Sequence, residues 1–304
     1  MFDPSLDKAP KMLTCAARAA GSRPDLTQGC GGNVSVKLGS ERMLIKASGC
    51  RLKDVSPERG YVLVNYGNIR RRIAAGPGDE AAFTDYLCAQ ALPVKGLKAA
   101  KPSIEAGFHA LLNTVVIHTH SVYANILNMS AEGHALGREM FPGAEFIPYK
   151  PPGPQLCTAI NYRARASGPQ TFFLANHGLA VAHVGVEGAL ELNEKVNDTI
   201  RRGLSLPPYP AVPVCGVLSA HNSACLARYG RGFMLNNVLS PDQALYCGPE
   251  GLDGITEPEA VNEVLTALFY ILDCMKALKL NPRFLAKEEA AYFDMMKSGR
   301  YSRK

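Results

Sequence analysis

Apolar and polar positions along this chain switch between a helical period and a strand period. Residues 5–20 place Leu6, Met12, Leu13 and Ala16 near a 3.6-residue spacing, which predicts an amphipathic helix. A glycine-rich turn, QGCGGN, leads into VSVKL, and RMLIKASG (42–49) reads as a second strand closed by small residues. GYVLVNYGNIRRRI predicts a hairpin turning at Gly67-Asn68. Helical spacing returns at 78–92 after a Gly-Pro-Gly break, and at 104–113, where Ser103 is placed to cap the first turn. A β-branched stretch predicts a strand over 114–120, followed by a helix near 122–130.

AEFIPYKPPG reads as a strand stopped by prolines, with a helix near 155–167 after it. TFFLANHGLAVAHV reads as two strands around a tight Asn-His-Gly turn, and a helix follows over 186–204. LPPYPAVP (206–213) marks a linker. Beyond it, QALYCG predicts a strand, Asp242 reads as a cap or turn residue, and 257–279 is a long helix with a broad apolar face for core or subunit packing. Mixed helices and strands with hairpins place the chain in the layered α/β or α+β class.

Composition narrows the function classes. The chain has 304 residues, 47% hydrophobic and 20% charged, an ordinary globular balance. The net charge of +6 is mild, and the basic runs at Arg70–Arg72 and Arg300–Lys304 are short. They read as solvated faces, so no nucleic-acid partner is expected, while a modest positive field suits an anionic substrate. Nine scattered cysteines, an odd number, argue against a secreted disulfide framework. With no apolar leader segment and no run near 18 apolar residues, the expectation is a cytoplasmic protein with no membrane partner.

The candidate chemistry starts at VVIHTHS (115–121). In a strand, residues i and i+2 share a face, so His118 and His120 project together and Thr119 points away. Two imidazoles on one rigid strand make half of a metal site, and a catalytic zinc commonly takes a third ligand. LANHGLAV offers His177 in a turn between two strands. Taken alone, an isolated His-x-His is more often a pair of locally hydrogen-bonded side chains, and Glu105 an ordinary first-turn acid favoured by the helix dipole.

The ordered set changes that balance. GGNVSVK (31–37), IKASG (45–49), PSIE (102–105), HTHS (118–121) and NHG (176–178) together resemble the class II aldolase/adducin family, in its fuculose- and rhamnulose-phosphate aldolase branch, over residues 5–205. The resemblance implies a central, mostly antiparallel sheet flanked by helices. It implies a catalytic domain over 1–205 and a C-terminal extension over 206–304, packing on that domain or on a neighbouring subunit. It implies a divalent metal, zinc first with manganese or cobalt as alternatives, on His118, His120 and His177. Glu105 takes the acid/base role. The loops at Gly32-Asn33, Ala47-Ser48-Gly49 and Ser103 bind an anionic end of a sugar-like substrate. Family enzymes are commonly tetramers with the site at a subunit interface, so a homo-oligomer is expected.

Retro-aldol cleavage leaves an enolate, a charge that a Lewis-acid metal stabilises, while a nearby carboxylate moves the proton. The implied activity is a metal-dependent lyase cleaving a C–C bond of a phosphorylated ketose. Two departures put the phosphate pocket in question: Ile104 stands where a second serine is common, and Lys46 where a small hydroxyl residue or proline is usual. Lys46 and Lys150 are candidate anion contacts. These departures lend weight to the alternatives on the same scaffold, a β-keto sugar acid decarboxylase above all, then a sugar-phosphate epimerase or dehydratase. A non-catalytic, adducin-like scaffold is the remaining alternative, and the intact histidine and glutamate set argues against it. His109, at i+4 from Glu105, is assigned to packing or to support of the metal region, and Tyr292 and Tyr301 are candidates for protonating a leaving group.

Overall fold

The computed structural model describes residues 5–165, 167–212 and 216–295. The first part runs α1 (Ser5–Gly21), β1 (Asn33–Leu38), β2 (Arg42–Lys46), β3 (Tyr61–Asn65), α2 (Tyr66–Ala74), α3 (Glu80–Ala89), β4 (Ala91–Leu92) and α4 (Ala106–Leu111). It continues through β5 (Val115–Thr119), α5 (Val122–Asn128), α6 (Gly133–Met140), β6 (Glu145–Ile147), α7 (Pro154–Asn161), β7 (Gln170–Leu174), β8 (Gly178–His183) and α8 (Val186–Gly203). The extension is helical: α9 (Ala220–Tyr229), α10 (Arg231–Asn236), α11 (Pro241–Tyr246), α12 (Pro249–Leu252), α13 (Pro258–Ala277) and α14 (Lys287–Met295).

The strands form one eight-stranded sheet in the order β4-β3-β2-β1-β5-β8-β7-β6. Every neighbouring pair is antiparallel except β6 with β7. The sheet is buried on both faces, so its strands read as continuous apolar runs rather than clean alternations. On β5, Val115 and Ile117 enter one core with α1, α5, α8 and α13, while Val116 enters the other with α2, α3, α4 and α7. On β8, Leu179 and Val181 split from Ala180 and Ala182 in the same way. The expected architecture of a mostly antiparallel sheet flanked by helices is therefore present. Among the described residues, no helix is long and apolar enough to cross a membrane.

Three sequence expectations are corrected. The hairpin predicted at Gly67-Asn68 is instead β3 running straight into α2: the Asn65 side chain accepts from Asn68 N–H as an N-cap, and Tyr66, Ile69 and Ile73 bury one helical face. The strand predicted at QALYCG is α11, capped by the Ser240 side chain accepting from Gln243 N–H, with Pro241 opening the helix. The helix predicted over 155–167 stops at Asn161.

Candidate metal centre

Cross-strand register brings the site together. On the antiparallel β1–β5 pair, Asn33 lies opposite His118, so the GGN and HTH motifs meet at one end of the sheet. β5 pairs on its other side with β8, setting His118 opposite Ala180 beside the β7–β8 turn that carries His177. Thr119 points away as alternation requires, and its hydroxyl reaches Asn193 on α8. Glu105 immediately precedes α4 and is the residue at its N-cap position. The Ser103 hydroxyl accepts from Glu105 N–H at 3.2 Å, which fixes the turn that aims this carboxylate.

The result is a buried cluster of Glu105, His118, His120 and His177 whose ligand atoms all lie within 4.8 Å of one another. The three imidazole centroids are 4.8–5.1 Å apart. Glu105 Oε1 lies 3.3 Å from His118 Nε2 and 3.2 Å from His177 Nε2, and Glu105 Oε2 accepts from Asn33 Nδ2 at 3.3 Å.

Tautomers follow from the outer partners. His118 Nδ1 faces the Leu179 carbonyl at 2.9 Å, which only accepts, so Nδ1 carries the proton and Nε2 keeps its lone pair. His120 Nδ1 donates to the Asp242 carboxylate, which likewise leaves the Nε2 lone pair free. Both Nε2 atoms are buried without a hydrogen-bond partner. Buried lone pairs facing a carboxylate favour a cation between them, and three imidazoles with a carboxylate form a donor set that fits a divalent metal. Burial pushes His177 down to about 4, so its imidazole is neutral, the form a metal takes.

Close backbone approach explains two glycines. A Cβ on Gly31 would sit 2.6 Å from His120 Nδ1, and one on Gly178 would sit 2.3 Å from the Thr119 carbonyl oxygen. In the Asn-His-Gly turn the positive φ, 54°, belongs to Asn176, so Gly178 serves the packing of β8 on β5 rather than the bend.

The anion-binding candidates are found in different states. Lys46 is buried, and its ammonium donates at 2.8 Å to each of the Cys30 and Cys50 carbonyls, tying the glycine-rich loop to the 47–50 turn. Cys30 Sγ adds a contact to the Gly49 carbonyl, and Ser48 N–H is bonded to the Lys101 carbonyl. The amides before Gly32 are already committed: Gly29 to Glu263, Cys30 to Tyr246 and Gly31 to the Gln28 carbonyl. Ser48 and Gly49 are exposed, as is Lys150. His109 is buried and bonded to Ser35 Oγ at 2.8 Å. The Tyr292 hydroxyl donates to the Pro152 carbonyl, and Tyr301 lies outside the described residues.

Sequence reasoning missed the fastenings of the histidine turn. Asn125 on α5 donates to the His177 carbonyl at 3.2 Å, Asn128 to the Gly178 carbonyl at 2.8 Å, and Asn176 to the Leu239 and Arg283 carbonyls. It also missed Asp242, which the sequence offered only as a cap or turn residue.

The model of the family described as class II aldolase and adducin N-terminal domain matches residues 11–202, and the chain belongs to that family. A relative from Haemophilus influenzae, 3-oxo-tetronate 4-phosphate decarboxylase, is 28% identical over 191 residues, 58% of this chain and 77% of that one. The N-terminal class II aldolase domain of a Thermoplasma acidophilum protein superposes with a TM-score of 0.57 at 22% identity, covering 67% of this chain and 95% of that one. L-fuculose-1-phosphate aldolase from Thermus thermophilus gives a TM-score of 0.45 at 14% identity, covering 66% of this chain and 95% of that one.

Proposed function

We propose that this chain is a divalent-metal-dependent lyase that breaks a C–C bond beside a ketone in a small anionic, sugar-like substrate. The observation that supports it most is the buried convergence of His118, His120 and His177 on Glu105, with two Nε2 atoms lacking partners. A cation held there supplies Lewis-acid polarisation of the ketone and stabilises the charge that bond cleavage leaves on its oxygen. The three imidazoles hold and orient that group, each fixed from outside by Leu179, Asp242 or the Asn125-supported turn. Glu105, held by Asn33, carries a proton to or from the reacting carbon. The exposed Ser48–Gly49 turn and the Ser103 hydroxyl, which keeps a proton to donate, are the contacts assigned to the anionic end of the substrate.

Decarboxylation of a 3-oxo sugar acid, with carbon dioxide leaving, is the reading we place first. It is supported by the resemblance to the Haemophilus decarboxylase, and the family match over 11–202 spans all four cluster residues. Retro-aldol cleavage of a phosphorylated ketose is second, and one observation sustains it. With Lys46 engaged by two carbonyls, its ammonium no longer argues for a substrate carboxylate.

The test incubates zinc- or manganese-loaded protein with 3-oxo-tetronate 4-phosphate and, separately, with ketose 1-phosphates, assaying carbon dioxide and aldehyde. Metal-dependent release of one product, abolished in the His118→Ala/His120→Ala double variant, supports the lyase and picks the bond. Absence of bound metal in wild-type protein after incubation with either ion would sink it.

A further inference from the structure

The metal centre is completed by a residue from outside the family-matched stretch. Asp242 stands in the first turn of α11, yet it is not that helix's cap, since the Ser240 side chain fills this role. Its side chain is only 9% exposed and reaches His120 Nδ1 across 122 positions of sequence. A buried carboxylate is costly unless paired, so this placement is maintained by the imidazole it meets. On a metal-binding histidine, a carboxylate at the far nitrogen fixes the tautomer and ring orientation and raises ligand basicity.

The same part of the extension grips the site's framework at other points. Tyr246 Oη accepts from Cys30 N–H at 3.1 Å and Glu263 from Gly29 N–H at 2.6 Å, both in the glycine-rich loop beside Asn33. Glu263 also pairs with Arg51 at 2.8 Å. The Leu239 and Arg283 carbonyls accept from Asn176, next to His177.

We infer that Asp242 is the positioning residue for His120, and that metal uptake and docking of the 239–247 segment are therefore thermodynamically coupled. The inference rests on the metal-dependent reading above. By linkage, an interaction that improves metal binding in the docked state makes metal stabilise that docked state by the same factor. The extension thus acts as part of the metal site instead of as a passive cover.

The experiment titrates the full-length apo chain with zinc against a chromophoric chelator, for wild type, Asp242→Ala and Asp242→Asn. In parallel, hydrogen exchange over 239–247 is followed with and without zinc. Asp242→Ala is expected to weaken zinc binding about 10–100-fold. Asp242→Asn, whose amide oxygen still accepts from Nδ1–H, recovers part of that loss, as a merely structural defect would not. Zinc slows exchange over 239–247 in wild type and fails to do so in Asp242→Ala. Should Asp242→Ala not fold, the Asn variant still reads the effect, with a smaller loss. Wild-type affinity in Asp242→Ala, or exchange over 239–247 unmoved by zinc in wild type, overturns the inference while leaving the lyase reading standing. A wild-type chain that takes up neither zinc nor, in a repeat of the titration, manganese overturns both.

Discussion

At the scale of single residues, the sharpest question is what Glu105 does among three imidazoles. Its carboxylate lies at nearly equal distance from His118 and His177, and Asn33 holds its second oxygen. Three histidines suffice for a catalytic metal with an open position, which leaves the carboxylate free to move protons. Glu105→Gln is therefore expected to retain metal while turnover falls by about 10²–10⁴-fold. Metal content and product release, measured on the same preparation, check it; a variant that loses metal makes Glu105 a ligand instead. That His118 and His120 share a face was legible in the sequence because strand alternation is a short-range signal that specifies a side chain's direction, whereas the grouping of His177 and Glu105 with them came from the family resemblance. Asn125, Asn128 and Asp242 were not legible, because each acts from a helix whose relation to the site is set only by tertiary packing. The function of Lys46 was also hidden: a lone lysine in a strand carries no sign that its ammonium will be spent on the carbonyls of Cys30 and Cys50.

At the scale of elements, the seam between β5 and β8 holds the centre together. Gly178→Ala would place a methyl 2.3 Å from the Thr119 carbonyl oxygen, a rigid backbone atom on the strand that bears His118. The strands must part, at a cost of about 1–3 kcal/mol. Urea unfolding is expected to show that loss together with weaker metal binding, since His177 adjoins the moved residue; unchanged stability would mean the seam yields freely. On β1, burial pushes the Lys37 ammonium down to about 7, with Arg70 adding to the effect. The unfolded lysine titrates near 10.4. The unfolded chain thus binds more protons between these values, and the stability of the folded chain rises with pH from about 7 upward; below pH 7 the full cost of the buried charge is present. Relative to Lys37→Met, wild type is expected to gain about 1–2 kcal/mol in urea unfolding between pH 6.5 and 9, and a pH-independent difference would refute the assignment. Element types were readable wherever one period ran uninterrupted, as in α1, β5 and α13. They were misread at β3–α2, where Gly67 suggested a turn inside what is a capped helix, and at α11, where a short apolar run ending in the β-favouring Tyr246 hid a Ser-Pro helix start.

At the scale of the whole molecule, the family match ends at residue 202 but the hydrophobic core does not. One cluster joins Leu13 and Ala16 of α1, Ile117 of β5 and Ile126 of α5 to Val264, Leu268 and Ile271 of α13. Fourteen residues of α13 are buried, more than a surface helix with a single apolar stripe requires. Asn222 and Asn262 bond each other, fastening α9 to α13. Tyr270 donates to the Pro207 carbonyl, binding α13 to the start of the linker. A core shared in this way has no internal boundary across which one part can unfold while the other keeps its packing. The chain is expected to melt in a single transition, with far-ultraviolet circular dichroism and tyrosine fluorescence coincident. A chain cut after residue 205 is expected to expose the α5 face that α13 covers and to lose cooperative unfolding. Two separated transitions in the intact chain, or a stable truncated domain with a transition of its own, would show that residues 206–304 are an independent unit. The ties from Asp242, Tyr246 and Glu263 to the metal centre would then have to form between two bodies that fold separately.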